Sequence, residues 1–228
     1  MIRTALVLWL MPSLLLASEL RKVPYDSLKS VPHRIETFDA LPSVSEPGLN
    51  FDQHWRAPGL SIAEKLLGQG VDEVTTDYGR FDHLSGFPGA PPRVIPGNSG
   101  QNFTIAHHDG FGSNALFPRG PVGIAGADGR GDGRIGFTFD DPQFAFGFKL
   151  HAEYPDPLGQ RPRPRAAEIA FYDVNARLLT RFVLPLQRGV MSLAWRSGYG
   201  VAAVTIENTD PGGIAIDDIL YEVEDLSG

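Results

Sequence analysis

Two neighbouring segments, Arg134–Asp140 and Gln143–Leu150, alternate strictly between apolar residues and polar or small ones, and only Asp141 and Pro142 separate them. A side-chain period of two predicts β-strands, and so short a connection predicts a hairpin or a tight β-arch. One face of each strand is rich in phenylalanine: Phe137 and Phe139 in the first, and Phe144, Phe146, Phe148 and also Leu150 in the second. We interpret these phenylalanines as core rather than as a ligand platform, because sandwich interiors are built from such alternating apolar side chains.

Further strands are predicted on both sides of this pair. They are His33–Asp39, Asn102–His108, Ala167–Asp173, Arg177–Leu184, Met191–Trp195, Val201–Glu207 and a closing segment from Ile214. The segment Leu60–Gln69 fits a short helix or a twisted strand. No fixed-period repeat and hardly any helical period is visible, which argues against propellers, solenoids, TIM barrels and Rossmann units. The pattern predicts an all-β fold, namely an antiparallel β-sandwich of jelly-roll type with long Gly- and Pro-rich loops.

The N-terminus has the pattern of a secretory signal peptide. Arg3 precedes the apolar run 5–16, and the small residues Ala17 and Ser18 follow it. The run is too short for a membrane span, which needs about 20 apolar residues, so we predict cleavage after Ala17. The predicted organisation is a signal peptide at 1–17, an extended leader at 18–32, one β-sandwich domain at 33–223 and a tail at 224–228. The protein is then secreted, extracellular or periplasmic, with no transmembrane segment after signal removal.

The composition of the chain excludes several kinds of site and argues against some partners. The chain has 0 cysteines, which excludes a disulfide framework, thiolate catalysis and zinc–thiolate sites. Its formal net charge is −7. An acidic chain is a poor partner for nucleic acid or an anionic membrane, because both are polyanions. The basic run Arg161–Arg165 contains alternating prolines, so we interpret it as a solvated, extended loop.

The closing segment interrupts its own apolar pattern with acids. A turn at Asp210–Gly213 leads into alternating residues from Ile214, but Asp217 and Asp218 stand where apolar residues should continue. A buried carboxylate needs a partner, since an unpaired buried charge is destabilising by several kcal/mol. We therefore predict that one of the two aspartates is a ligand or hydrogen-bond anchor and that the other is solvated.

Several of these segments resemble a known group of proteins. Ile135–Leu150, the turn within Phe171–Leu179 and the closing Asp210–Ile219 look like the secreted bacterial β-sandwich proteins that often carry a PEP-CTERM sorting tail. The closing strand and the early Glu36–Asp39 also resemble the jelly rolls of MAM domains and carbohydrate-binding modules, although the MAM pattern contains cysteines. The resemblance covers roughly residues 33–223.

This resemblance implies a structural calcium ion between the first and last strands. Its ligands would come from Glu36 or Asp39 in the first strand and from Asp217 or Asp218 in the last. Calcium takes six to eight oxygen ligands, and only a few of them are visible in the sequence. The alternative is that these acids bond to backbone amides or face water.

The resemblance to carbohydrate-binding modules directs attention to aromatic residues. The candidates for ligand binding are Trp55, Tyr78, Trp195, Arg196 and Tyr199. A ring that stacks on a sugar must stay partly exposed. Trp195 also fits the core, because it continues the side of its strand that carries Met191 and Leu193.

The remaining polar motifs are weaker candidates for a metal or catalytic site. His107 and His108 are adjacent, so on a strand they point to opposite faces, and only one of them can join His151 in a metal or acid–base site. The Gly-rich segment Asp128–Asp132 fits a turn better than a cation-binding loop. No catalytic motif accompanies these residues, and we predict no catalytic residue.

Three functions are compatible with these features. The first is an exported, non-catalytic binding module for polysaccharide or a surface glycan, stabilised by calcium. The second is a structural or matrix protein of the cell envelope, which predicts apolar patches and self-association. The third is a jelly-roll polysaccharide lyase or glycoside hydrolase, which requires paired carboxylates about 5–10 Å apart across a groove, or a cluster of His, Tyr and Arg residues. Fold alone does not separate the three, because sandwiches host all of them. The first is the function we predict.

Overall fold

The fold is described from a computed structural model, which describes residues 20–77, 79–125, 131–152, 166–210 and 212–224. The predicted signal peptide, Tyr78, most of the Asp128–Asp132 loop, the basic run 161–165 and the end of the tail lie outside these residues. The strands are β1 (Arg21–Lys22), β2 (Arg34–Glu36), β3 (Leu49–Phe51), β4 (Trp55–Ala57), β5 (Leu60–Ala63), β6 (Lys65–Leu66), β7 (Gln69–Thr76), β8 (Gly79–Gly86), β9 (Val94–Ile95), β10 (Phe103–His108), β11 (Ser113–Pro118), β12 (Arg134–Ala152), β13 (Ala166–Tyr172), β14 (Leu178–Pro185), β15 (Gly189–Asn208) and β16 (Ile214–Tyr221). A short helix, α1 (Tyr25–Lys29), and a 3₁₀ turn (Gly123–Ala125) complete the described elements.

The strands form two layers that share β12 and β15. In the first layer, which we call sheet I, the order is β14-β13-β15-β12-β5-β4. In the second, sheet II, it is β1-β15-β12-β16-β11-β10-β3, with β2 on the end of β16. All of these pairings are antiparallel. The predicted all-β fold of antiparallel sheets is confirmed.

Both long strands cross from one sheet to the other at β-bulges. In β12, Thr138 pairs with Ala203 and Gln143 with Val201, so residues 139–142 stand opposite Ala202 alone. In β15, residues 197–200 stand opposite Phe144 in the same way. Extra residues on one strand bend it and increase its twist. The connection at Asp141-Pro142 is therefore a β-arch and not a hairpin. Both halves of β12 pair with β15, and on the other edge the first half pairs with β5 and the second with β16, so the halves do not pair with each other.

The two halves of β12 meet in the core. Before the bend the odd-numbered Phe137 and Phe139 point inward, and after it the even-numbered Phe146 and Phe148 do so. The bulge shifts the side-chain phase and thereby keeps both sets on the inner face. The ring centroids of Phe139 and Phe146 are 5.8 Å apart. Full burial of such a side chain contributes roughly 1.5–3 kcal/mol, so this single strand supplies much of the core.

Phe144 differs from the predicted core set. Its side chain is 56% exposed. It lies at the bend, where the opposite strand bulges outward, and the regular alternation resumes only after it. The prediction that Phe144 belongs to the core is wrong, because the sequence alternation continues through a point where the backbone changes sheets.

The outer face of sheet II is covered by the segment predicted as an extended leader. Residues 25–29 form α1, whose buried Tyr25 and Leu28 pack on three small or apolar residues of the sheet, Ala145, Ala194 and Leu220. Gly147 allows this approach, since a Cβ there would lie 3.0 Å from the Tyr25 ring and 2.6 Å from the Leu193 carbonyl oxygen.

The outer face of sheet I is covered by β6 and β9. Leu66 and Val94 pack against Ala170, Tyr172 and Ala203. The ambiguous segment Leu60–Gln69 consists mainly of strands, β5 and β6, and the Gly- and Pro-rich region after residue 78 contains β8 and β9.

A buried ion group attaches the β7–β8 hairpin to the sandwich. The Arg134 guanidinium is fully buried, 2.9 Å from a Glu64 carboxylate oxygen and 3.3 Å from one of Asp82. Burial raises the pKa of Asp82 to about 6, although Arg134 opposes the shift. The hairpin also donates the Leu84 N–H to the Glu207 carboxylate at 2.8 Å. None of the helices in the described ranges is long and apolar enough to cross a membrane.

Candidate functional site

A pocket of about 350 Å³ lies at the bend of β12, and we call it the corner pocket. Strands β4, β5 and β12 and the segment 91–94 contribute its walls. Its polar lining consists of His54, Arg56, Ser61, Arg93, Thr138 and Asp140. Its apolar lining consists of Pro91, Pro92, Val94, Phe139, Pro142, Val174 and Ala202. Apolar walls with a few convergent polar groups are typical of small-ligand sites, which have volumes of about 300–1,000 Å³.

A bidentate ion pair forms the polar centre of the corner pocket. The Arg56 guanidinium donates to both carboxylate oxygens of Asp140, at 2.8 and 2.5 Å, and to the Ser61 hydroxyl at 2.6 Å. Arg56 and Ser61 are cross-strand partners, and the Asp140 N–H donates to the Gly59 carbonyl, so the backbone positions all three. Hydrogen bonding to Asp140 raises the pKa of Arg56. Two parallel N–H···O bonds fix the orientation of both groups.

Two exposed aromatic residues lie beside the corner pocket. Phe144 is 56% exposed and Tyr199 is 54% exposed. The Phe144 ring lies near Gly200, where a Cβ would be 3.6 Å from that ring and 2.4 Å from the Cβ of Pro142. Tyr199 precedes Gly200 in the bulge of β15 that stands opposite Phe144. Because Pro142 also lines the pocket, the Phe144 ring and the ion pair belong to one continuous surface.

The predicted ligand-binding residues are distributed differently. Trp55 is partly buried and packs edge to face on Phe38 and Phe51, with centroid distances of 5.6 and 5.5 Å. Trp195 is 4% exposed, so its ring belongs to the core and offers no face to a sugar. Arg196 is partly buried on the β15 edge that pairs with β1.

Among the described members of this predicted set, Tyr199 alone is exposed, and it lies in the bulge of β15 opposite Phe144. The other pocket residues, chiefly Arg56, Arg93 and Asp140, were not predicted. Their one sequence signal was the Gly- and Pro-rich composition around residues 86–92, which is typical of functional loops.

The predicted metal residues lie where the first and last strands pair, since Glu36 is the partner of Ile219. Asp217 is the buried anchor: it accepts from the Ser113 hydroxyl at 2.6 Å and from the Asp218 N–H at 2.7 Å. Burial raises the pKa of Asp217 to about 7, and the nearby carboxylates of Asp218 and Asp39 add to the effect. Asp217 is therefore a carboxyl group that exchanges its proton near neutral pH.

Asp218 adopts a left-handed conformation with φ of 49° and pairs with Lys149, whose Nζ is 2.5 Å from its Oδ2. It is thus an ion-pair partner rather than a freely solvated residue. Glu36 accepts from the Phe38 N–H at 2.7 Å, and Asp39 accepts from the Asn114 N–H at 2.9 Å. Each of the four carboxylates already has a protein donor.

These contacts do not make an ion cage. Within the described ranges, no group of three or more His, Asp or Glu residues could hold a metal ion. The Lys149 ammonium stands among the aspartates, where it supplies a positive charge of its own. The residues therefore fit a hydrogen-bonded and ion-paired seam better than a calcium site, and calcium stays a prediction.

His108 and His151 form a buried pair on the outer face of sheet II. Their ring centroids are 4.4 Å apart, and the rings pack with Phe111. Burial lowers the pKa of His108 to about 4 and also lowers that of His151, so both are neutral at pH 7. His107 is partly exposed and lies 3.8 Å from the Asp109 carboxylate. The pair thus behaves as part of an aromatic cluster.

Comparisons with known proteins give little further information. No family model matches the chain, and no curated protein matches it. Among solved structures, a mutant of CBM29-2, a family 29 carbohydrate binding module, is similar with a TM-score of 0.31 and 10% identity, over 55% of this chain and 83% of that chain. A similarity at this level carries no argument about function, which must come from the residues themselves.

Proposed function

We propose that this chain is an exported, non-catalytic β-sandwich protein that binds a polysaccharide or surface glycan at the corner pocket. The observation that carries the proposal is the continuity of the Arg56–Asp140 pair with the exposed ring of Phe144, opposite which the exposed Tyr199 lies in the bulge of β15. Sugars present both kinds of surface, since their hydroxyls form hydrogen bonds and their C–H faces are apolar. Rings that remain exposed beside a polar cleft are expected where a ligand covers them.

The polar part of the site is preorganised for this role. Arg56 is held by Asp140 and by Ser61 before any ligand arrives. A ligand that meets fixed groups loses less affinity to the ordering of side chains. The charged pair offers N–H donors and carboxylate acceptors to sugar hydroxyls, while Phe144 and Tyr199 cover the ring.

The corner pocket supports binding better than hydrolysis. Within the described lining, Asp140 is the single carboxylate, and it is engaged with Arg56. Glycoside hydrolysis ordinarily uses two carboxyl groups about 5–10 Å apart on either side of the bond. The hydrolase alternative therefore has less support from this pocket than a binding role.

Export is the part of the proposal that rests on the sequence. The pattern at residues 1–17 supports secretion to an extracellular or periplasmic location. The mass and N-terminal sequence of the protein from the medium or periplasm test this, since cleavage is expected after Ala17. An uncleaved protein in the cytoplasm would contradict export.

A glycan array followed by affinity electrophoresis tests the binding function. We expect the protein to bind at least one polysaccharide and the Tyr199→Ala and Phe144→Ala variants to lose most of that affinity. Val183→Ala is the matched control, because Val183 is 68% exposed on β14, away from the pocket lining. Absence of any binding on the array, or equal loss in all three variants, would overturn the proposal.

A matrix role is the second candidate, and the apolar exposure of β14 favours it. Leu178 is 50% and Val183 is 68% exposed, and in the described residues this strand pairs with β13 alone. Edge strands with exposed apolar side chains promote association between chains. Analytical ultracentrifugation tests this role: concentration-dependent oligomers that Val183→Lys abolishes support it, and a monomer at all concentrations excludes it.

A further inference from the structure

The lining of the corner pocket carries more basic than acidic groups. His54, Arg56 and Arg93 contribute basic side chains, and Asp140 is the one carboxylate in the described lining. Asp140 is bonded through both oxygens to Arg56, so these two charges balance each other. The chain as a whole has a net charge of −7. The local excess of positive charge therefore has the opposite sign to the surrounding protein.

Arg93 is the unbalanced cation of the pocket. Its carbonyl oxygen accepts from the Leu67 N–H at 2.7 Å, and the next residue, Val94, begins β9, which pairs with β6. The backbone is therefore fixed, while the side chain is exposed. Among the described residues, its guanidinium takes part in no ion pair or hydrogen bond. An exposed guanidinium without a carboxylate partner is free to pair with an anion, here at a position that the backbone fixes.

We propose that the corner pocket takes a carboxylate-bearing sugar, namely a uronate unit of an acidic polysaccharide, and that Arg93 pairs with its carboxylate. This inference rests on the proposed glycan-binding function and adds the charge of the ligand to it. A carboxylate fits because two parallel N–H groups of a guanidinium match its two coplanar oxygens. The Arg56–Asp140 pair then serves the sugar hydroxyls.

The net charge of the chain makes the local cation decisive. A polyanion is repelled by an acidic protein surface at long range, and salt screens this repulsion as well as the attraction to Arg93. Binding of an acidic glycan by such a chain therefore depends on a short-range, bidentate contact. Removal of that contact leaves the hydroxyl and ring contacts to act against this repulsion, so the loss of affinity on mutation of Arg93 is expected to be large.

Affinity electrophoresis of the full-length chain, as the cell processes it, tests this inference with matched polysaccharides. Polygalacturonate and its methyl ester share one backbone and differ in charge. Alginate and hyaluronan contain other uronates. Dextran sulfate and dextran show whether a sulfate group is bound as well as a carboxylate. The variants are Arg93→Gln, Arg93→Lys and the control Lys29→Gln, which removes the same charge from α1 on sheet II.

We expect at least one of the uronate polymers to bind, and to do so about tenfold or more tightly than dextran. Arg93→Gln should lose that advantage, Arg93→Lys should keep part of it, and Lys29→Gln should change nothing. If polygalacturonate is the ligand, its methyl ester should bind as weakly as dextran. Equal binding of dextran sulfate would assign the site to anions in general and overturn the choice of carboxylate.

Failure of this inference is distinguishable from failure of the proposed function. Binding of neutral glycans alone, still lost in Tyr199→Ala, would overturn the uronate inference and leave the glycan-binding function intact. Absence of binding to every glycan tested would overturn both. Equal losses in Arg93→Gln and Lys29→Gln would show that general charge, and not Arg93, governs the affinity.

Discussion

Phe137 and Phe148 belong to the same strand, yet their rings meet edge to face across the core, with centroids 6.0 Å apart and an interplanar angle of 76°. The strand reaches both positions because it leaves sheet I at residues 139–142 and continues in sheet II. The bend that makes this contact also forms the corner pocket and exposes Phe144. The core and the candidate site are therefore consequences of one backbone feature.

The core contact predicts that substitution by alanine at two phenylalanines of β12 will have very different effects on the stability of the protein. Phe148→Ala removes a fully buried ring and should destabilise the protein by about 3–5 kcal/mol. Phe144→Ala removes an exposed ring and should change stability by less than about 0.5 kcal/mol. Urea denaturation measures both. Similar losses would mean that Phe144 is packed and that the bend is not as described.

The buried carboxyl of Asp217 predicts a pH dependence of stability. Its folded pKa is raised to about 7 from 3.8, so the folded state binds the proton more tightly than the unfolded state does. The associated stability is fully present below about pH 4 and is lost as the pH rises through 7. Asp217→Asn cannot ionise, and its free energy of unfolding should fall less than that of the wild type over this range.

The expected difference between Asp217→Asn and the wild type is roughly 2–4 kcal/mol, since a tenfold shift in a protonation equilibrium corresponds to about 1.4 kcal/mol. Denaturation at pH 4, 5.5, 7 and 8 measures it. Comparison with Asp72→Asn, an exposed carboxylate on the β7–β8 hairpin, separates the effect of burial from that of charge. Parallel curves for Asp217→Asn and the wild type would refute a raised pKa at Asp217.

The calcium prediction is tested by thermal melts in excess EDTA and in millimolar calcium. An ion present at about 100 times its dissociation constant would add ~2.7 kcal/mol, which is a rise of several degrees. The contacts favour coincident melts, because Lys149 already neutralises Asp218 and Ser113 already bonds Asp217. A calcium-dependent rise that Asp218→Asn abolishes would instead establish the ion at this seam.

The close packing of Gly200 against Pro142 predicts that a substitution in the bulge of β15 will also change the corner pocket. A Cβ at this position would lie 2.4 Å from the Cβ of Pro142, so Gly200→Ala must displace the pocket wall. We expect a loss of glycan affinity of about tenfold with a moderate loss of stability, roughly 1–3 kcal/mol. Gly89→Ala is the control, because the nearest atom there is 3.6 Å away. Unchanged affinity in Gly200→Ala would separate the bulge from the site.

The period-two pattern was sufficient to predict the sheets and most of the core. Phe137 and Phe146 were placed correctly because burial of one strand face follows directly from alternation. Phe144 was misplaced because a bulge leaves no mark on the alternation of residues. Helix α1 was missed because its stability comes from packing on the sheet and not from its own five residues.

The candidate site was much less predictable than the fold. Arg56, Arg93 and Asp140 are far apart in the chain, and strand pairing with the cover of segment 91–94 brings them to one pocket. Their spacing therefore carries no signal in a single sequence. Trp195 shows the converse, since an aromatic residue with a plausible binding role is used for the core.

Hydrogen exchange of the protein with and without the polysaccharide selected on the glycan array tests the central claim most directly. Ligand at the corner pocket should slow exchange in peptides that cover residues 54–61, 91–94, 138–144 and 197–202, and it should leave the seam around Asp217 unchanged. Protection confined to β16, β11 or another surface would contradict the account, because the glycan would then bind away from the bend of β12.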